Sequence, residues 1–346
     1  MTTNEPTTQR HPIRSAAAWR PGAIADAAEW TVVLTDDERR EIVDAVGAAR
    51  RAGAAVTTVD ADSFPLPTLA ERMEEWSALL NDGRGFLLLR RFPVDLLDDA
   101  AVELAYIGLG THLGTPVGQD RDATVLGHVR DEGVARTHPG VRLYRTTERQ
   151  DFHADGADLV GLLCLHRART GGESRIVSSA ALYNELLERR PDLVEVLYEP
   201  FHWDRNDEQS AGEDPSFAMP VFHDVNGTPR VFYIGWYIRD AQRHPQVPRL
   251  TAEQTEAMEL VEAIANDPAF YLEMDFQPGD VQFLNNARIL HAREAYEDHD
   301  DPHRRRHLLR LWLAAHRFTS VDELLQGGIP RQQTASETDE PETDEP

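Results

Sequence analysis

The tripeptide His153-Ala154-Asp155 places an imidazole and a carboxylate two residues apart. In extended backbone alternate side chains share a face, so both can grip one metal ion from the same side. Two histidines and one carboxylate on one side of a metal leave three adjacent positions open, which suits Fe(II) taking a bidentate oxo-acid together with O2. The spacing alone discriminates little: with 14 histidines in the chain, about one such pair is expected by chance. Three occur, the others being His202-Trp203-Asp204 and His299-Asp300-Asp301, so context must choose. His153 precedes a strongly apolar run over 159–165 and a Gly171-Gly172 turn, whereas His299 sits among Glu, Asp and His in a stretch that reads as a solvated loop. His202 is harder to dismiss on these grounds.

A third ligand has to come from far along the chain. His291 is the best placed, since it follows Gly279-Asp280-Val281-Gln282-Phe283-Leu284-Asn285-Asn286, a run that reads as a buried strand feeding it. Beyond it, residues 306, 308, 310 and 312 of Arg306-His307-Leu308-Leu309-Arg310-Leu311-Trp312 share one strand face. Arg306 and Arg310 then point into an apolar interior. A guanidinium is expensive to bury without an anion, so the pair predicts either a bound carboxylate or a buried acid.

In this order and spacing the chain resembles the taurine dioxygenase and clavaminate synthase-like family of 2-oxoglutarate-dependent oxygenases. The matched pieces are Phe152-His153-Ala154-Asp155, then Gly171-Gly172-Glu173-Ser174, then Gly279-Asp280 with Asn285-Asn286 and His291, then Arg305-Arg306 with Arg310. The resemblance implies that His153, Asp155 and His291 are the iron ligands and that Arg306 anchors the distal carboxylate of 2-oxoglutarate. It implies that Ser174, standing where the family often has threonine, donates a hydroxyl to that carboxylate, and that Arg310 meets an acidic group of the primary substrate. Fe(II), 2-oxoglutarate as co-substrate and O2 are the implied cofactors, and hydroxylation of a C–H bond with release of succinate and CO2 is the implied reaction. Halogenating relatives replace the metal carboxylate by a small residue, so Asp155 speaks against that outcome. The competing reading is a cupin-like isomerase or binding protein whose histidines hold another ion and which makes no use of 2-oxoglutarate.

Something must position these groups. Capping boxes, in which a Ser or Thr and a Glu or Gln three residues on satisfy each other's backbone donors, predict helices opened by Thr35 with Glu38, Thr68 with Glu71, and Thr251 with Gln254. The second carries an apolar stripe at Leu69, Met73, Trp76 and Leu80, expected to face the core. A shorter helix is expected after Ser179, ending before Pro191. Strand-like runs fall at 86–89, 159–166, 175–177, 231–234, 270–274, 281–284 and 306–315. Short strands punctuated by Gly, Pro, Asp and Asn, with helices gathered at the start and in one insertion, predict an α+β fold. Its mainly β core is expected to be a double-stranded β-helix (jelly roll) flanked by N-terminal and inserted helices. Trp203, Trp236, Tyr237 and Trp312, at strand spacing, fit either core, the commoner place, or a pocket wall and are assigned no role; pocket walls are expected around Gln119, Tyr144, Arg145 and 202–220.

The boundaries expected are a flexible N-terminus over 1–20, one oxygenase domain over 21–328, and a disordered acidic tail over 329–346. Within that tail, residues 331–346 hold six acidic side chains and one basic one. Removing their net −5 from the chain's −25 leaves −20 on the remainder, so the acidity belongs to the body. Such a balance excludes a nucleic-acid groove or an anionic membrane surface as partner, and no apolar run reaches the roughly 18 residues of a membrane span. A single cysteine, Cys164, excludes an intrachain disulfide and any cysteine-built metal cluster. The expected partner is a small-molecule substrate, with a homo-oligomer possible and a cytoplasmic location.

Overall fold

The computed structural model describes residues 10–120, 122–134, 142–207, 209, 212–225 and 228–316. The acidic tail expected over 329–346 and the first nine residues lie outside them. Two sheets make up most of the body. The larger has strand order Thr31–Val33, Phe86–Arg90, Val281–Asn285, Leu159–His166, His307–Ala315 and Gly114–Pro116, with Leu126–Val129 also paired to His307–Ala315. The smaller runs Tyr271–Met274, Ser174–Ser178, Ile289–Arg293 and Gln150–His153, antiparallel throughout.

Between the sheets lies an apolar layer: Phe86, Leu88, Val160, Cys164, Leu284 and Leu308 from the larger meet Ile176, Met274 and Ile289 from the smaller. The period of two explains why one strand serves two cores, since Leu309, Leu311 and Leu313 of the same strand as Leu308 face the opposite side. There they pack against helices Asp36–Arg51, Leu69–Asn81 and Asp99–Thr111. The outer face of the smaller sheet is covered by Ser179–Arg189, Pro191–Leu197 and Ala252–Ala265, with Gly235–Ala241 alongside. Seven α-helices thus flank a β core among the described residues.

The stripe Leu69, Met73, Trp76 and Leu80 is buried in the core, as its spacing predicts. Two of the three expected capping boxes form, at Thr35 with Glu38 and Thr251 with Gln254. Thr68 differs. Its backbone is already helical (φ −93°, ψ −42°), which turns its hydroxyl away from the helix entrance, and it makes no side-chain cap. The Glu41 carboxylate of the preceding helix accepts from the Thr68 and Leu69 amides instead, at 2.7 and 3.2 Å. Helix Asp99–Thr111 lacks an amphipathic stripe because ten of its thirteen residues are buried, and only its Asp98 cap, which accepts from the Ala101 amide at 2.8 Å, marks it in the sequence.

Of the N-terminal stretch expected to be flexible, residues 10–20 lie against the body. Arg10 pairs with Glu195 at 3.0 Å and Asp224 at 2.6 Å, and Trp19 is buried against Phe86 while its indole donates to the Arg84 carbonyl. Two apolar anchors, Ala17 and Trp19, hold it down. No helix of the described residues is long and apolar enough to cross a membrane.

Candidate active site

His153 ends strand Gln150–His153, and His291 sits opposite it in register on strand Ile289–Arg293. Antiparallel pairing therefore brings together two residues 138 positions apart in sequence. Asp155, two residues past His153, is held by its own amide, which donates to Asn286 Oδ1 at 3.0 Å. Asn286 in turn donates to the Ala157 carbonyl at 2.7 Å, so the Asn285-Asn286 pair of the sequence clamps the turn that presents the carboxylate.

The result is one cluster in which a ligand atom from each of His153, Asp155 and His291 lies within 4.8 Å of the others, all buried. His153 Nε2 is 3.8 Å from Asp155 Oδ1, and His291 Nε2 is 3.8 Å from Asp155 Oδ2. His153 Nδ1 lies 2.8 Å from the Asp151 carbonyl, which can only accept, so the proton belongs on Nδ1 and the Nε2 lone pair faces the cluster. Gln150 Nε2, 3.1 Å from that nitrogen, agrees with this tautomer because an amide NH2 can only donate. Trp312 Nε1 donates to Asp155 Oδ2 at 3.0 Å, and Trp236 packs edge-on to His153 at 5.0 Å between ring centroids. Both tryptophans, given no role from their strand spacing alone, border the site; Trp203 is core.

Electrostatics favours the state in which all three groups can bind a metal. Burial, helped by the neighbouring His153 and Arg310, pushes His291 down to about 3, and burial also lowers His153. Burial alone would raise Asp155, but Arg310, His291, His153 and the Trp312 hydrogen bond together hold it below the usual carboxylate range. Neutral imidazoles beside an ionised carboxylate form the donor set a divalent cation requires. By donor type, spacing and protonation, these three residues fit a mononuclear metal with vacant positions on one side.

The arginines lie on the facing sheet. A register shift between His307 and Leu308 against strand Leu159–His166 places Arg306 just before the strand, not within it. It is nevertheless 4% exposed. Its Nη2 approaches the Gly172 carbonyl at 3.5 Å, its guanidinium lies 5.1 Å from the Tyr296 ring centre, and its buried Nη1 has no hydrogen-bond partner among the described residues. Gly172 (φ +80°) belongs to the Gly-Gly turn, and a Cβ there would come within 3.0 Å of Arg306 Nε. Arg310 donates from Nε to Gln119 Oε1 at 2.7 Å, stacks near Tyr144 and Trp312, and brings Nη1 to 3.6 Å from Asp155. Ser174 is buried on strand Ser174–Ser178 and gives its hydroxyl to Gln282 Oε1 at 3.1 Å.

The competing His-x-Asp pairs are elsewhere. Asp204 is buried with His244 at 2.9 Å and Arg243, an internal ion pair on the strand ribbon 200–204, and His202 does not join it. His299 lies in the loop before residues 302–304. Sequence reasoning missed Gln150, Arg293 and Tyr296. A period-two reading from His291 on the inward face would have reached Arg293.

Two histidines and a carboxylate facing inward-pointing arginines across a two-sheet core define the class of a mononuclear non-haem iron oxygenase. Residues 50–312 match the taurine catabolism dioxygenase TauD, TfdA family, and the chain belongs to it. The chain is 31% identical over 311 residues to FR-33289 synthase of Streptomyces rubellomurinus, covering 88% of this chain and 91% of that protein. It is 31% identical over 312 residues to the taurine hydroxylase-like protein SAT17 of Stachybotrys chartarum, covering 86% and 79%. Among solved structures, asparagine oxygenase in complex with Fe(II), 3-hydroxyasparagine and succinate aligns with a TM-score of 0.64 at 17% identity, covering 82% of this chain and 93% of that one. The chain is an iron- and 2-oxoglutarate-dependent dioxygenase, and the cupin-like alternative is not favoured.

Proposed function

We propose that His153, Asp155 and His291 hold Fe(II), that Arg306 and Ser174 receive the distal carboxylate of 2-oxoglutarate, and that Arg310 meets an acidic group on a small carboxylate- or amino-acid-like substrate. The observation that carries this reading is the buried His153, Asp155 and His291 cluster opposite an Arg306 whose Nη1 has no hydrogen-bond partner among the described residues. A buried guanidinium with an unspent donor calls for an anion, and a planar carboxylate matches its fork. The Ser174 hydroxyl, now turned to Gln282, is a rotor that can redirect its hydrogen to such an anion. Iron(II) with 2-oxoglutarate and O2, when bound, supplies the oxidising power for hydroxylating a C–H bond, with succinate and CO2 released.

The chain's own residues do the rest. Arg310 is fixed at Nε by Gln119, and its Nη1 is ion-paired with Asp155 at 3.6 Å, so its guanidinium can orient an acidic substrate beside Asp155's side of the cluster. Tyr144 and Trp312 flank that guanidinium and exclude water from it. The reading includes a double-stranded β-helix within a single oxygenase domain over 21–328, whose residues after 316 lie outside the described ones; the two facing sheets with helices as outer cover support it. The lone buried cysteine supports a reducing, cytoplasmic setting.

Succinate release tests the assignment. Wild-type protein with Fe(II), 2-oxoglutarate and O2 should form succinate, faster when a screen of small carboxylates and amino acids meets its substrate. Asp155→Ala and His153→Ala should form none above background. Undiminished succinate from either variant would remove those residues from the metal site.

A further inference from the structure

Arg293 lies two residues past His291 on the same face of strand Ile289–Arg293, directly opposite Ser174 in the register of the smaller sheet. It is 6% exposed. Its Nη2 is held by the backbone carbonyls of Glu148 and of Leu143, the latter at 3.4 Å, while Nε and Nη1 are buried without a partner. Arg306 approaches from the larger sheet, and the two guanidiniums lie 5.0 and 5.1 Å from the centre of the same Tyr296 ring. The Tyr296 hydroxyl, which favours the Arg306 cation, is also buried and meets no geometric hydrogen bond among the described residues. Among the described residues no carboxylate lies within ion-pair distance of either guanidinium. Asp298, whose charge favours the Arg306 cation, accepts from the Arg306 amide at 2.7 Å through Oδ1, and its buried Oδ2 makes no hydrogen bond to either guanidinium among the described residues.

Two buried cations facing one ring, with three unspent nitrogens between them, repel each other and lack the water that would otherwise solvate them. A carboxylate offers about four acceptor positions over its two oxygens, enough to take donors from two guanidiniums at once. We propose that Arg293 is a second residue binding the distal carboxylate of 2-oxoglutarate, shared with Arg306 at the Ser174 end of the site. The inference rests on the functional reading above and extends it to a residue outside the motif set. Because Arg293 Nη2 also holds the backbone of 143 and 148, a purely structural role, tethering that segment, is the rival outcome.

The test separates the two by the charge of the ligand's far end. Fe(II)-loaded protein is titrated anaerobically with 2-oxoglutarate and with 2-oxopentanoate, which keeps the chelating end and chain length but ends in a methyl group. Affinities are read from the visible absorption of the chelate and by calorimetry, for wild type, Arg293→Met, Arg293→Lys and Arg306→Met. Arg293→Met should weaken 2-oxoglutarate at least about tenfold and leave 2-oxopentanoate within about twofold, with Arg293→Lys intermediate. An equal loss for both keto acids, or no loss for either, would overturn the proposal and leave Arg293 as a tether. If Arg293→Met will not fold, the same comparison with Arg293→Lys decides. Should Arg306→Met keep full discrimination, the anchor assignment itself fails, a result distinguishable from failure at Arg293 alone; a wild type that binds neither keto acid contradicts both readings.

Discussion

The indole of Trp312 donates to Asp155 Oδ2 at 3.0 Å, tying the carboxylate proposed as a metal ligand to the strand that carries Arg310. A hydrogen bond to a ligating carboxylate fixes which way its oxygens point, and removing such a partner typically weakens metal affinity by 10–100-fold. Trp312→Phe keeps the ring beside Arg310 and deletes only the N–H. Its Fe(II) affinity, measured by competition with a chromogenic chelator, should fall about tenfold with little change in thermal midpoint. Unchanged affinity would show that Asp155 is oriented by Asn286 and Arg310 alone.

The three helix starts make a stability prediction. Thr35→Ala and Thr251→Ala each remove a cap whose side chain accepts an N3 amide, at 3.3 and 3.1 Å, and each should cost about 1 kcal/mol in chemical denaturation. Thr68→Ala removes no such bond and should cost less than about 0.5 kcal/mol. A full cap penalty at Thr68 would restore the capping box that its sequence suggests.

Cys164 tests the packing between the sheets. Burial pushes its thiol up to about 12, outweighing the pull of Arg306 in the other direction. At pH 8 the native protein should therefore resist an aromatic disulfide reagent, and one thiol per chain should appear on unfolding. Rapid labelling of the native protein would mean that the layer formed by Val160, Leu284 and Leu308 opens readily.

His307 gives the protein a pH-dependent stability term. Its Nε2 lies 2.9 Å from His128 Nδ1, His128 Nε2 is 3.9 Å from Glu103, and Arg130 and His166 are the other charged or titratable neighbours. Burial first, then His128, Arg130 and His166, lower His307 to about 4. Between that value and the unfolded value near 6.5 the unfolded chain holds the extra proton. Stability from this group is thus full above about pH 6.5 and declines as pH falls toward 4. Partial exposure screens the effect to on the order of 1 kcal/mol. His307→Gln should lose less of its thermal midpoint than wild type between pH 6.5 and 4.5, and parallel curves would contradict the assignment.

Much of the site is legible in the sequence because ligands on strands obey simple periods. His153 and Asp155 are two apart, and Arg306 and Arg310 flank one inward face. The pairing of His153 with His291 is a matter of tertiary register: the strand run before His291 makes it a candidate, and the ordered resemblance joins it to His153. The roles of Asn286, Gln150 and Trp312 are not legible in the sequence, because each depends on hydrogen bonds to a partner that local pattern does not reveal. Helix Asp99–Thr111 was hidden by being buried nearly all round, and the Thr68 cap was misread because a neighbouring helix, through Glu41, supplies the acceptor.

The central claim, that His153, Asp155 and His291 form an iron site which takes a 2-oxo acid, is tested most directly by anaerobic addition of Fe(II) and then 2-oxoglutarate to the purified protein. The account predicts a visible charge-transfer band at one equivalent of iron in wild type and its loss in His291→Ala. No band despite bound iron, or an undiminished band in His291→Ala, would contradict it.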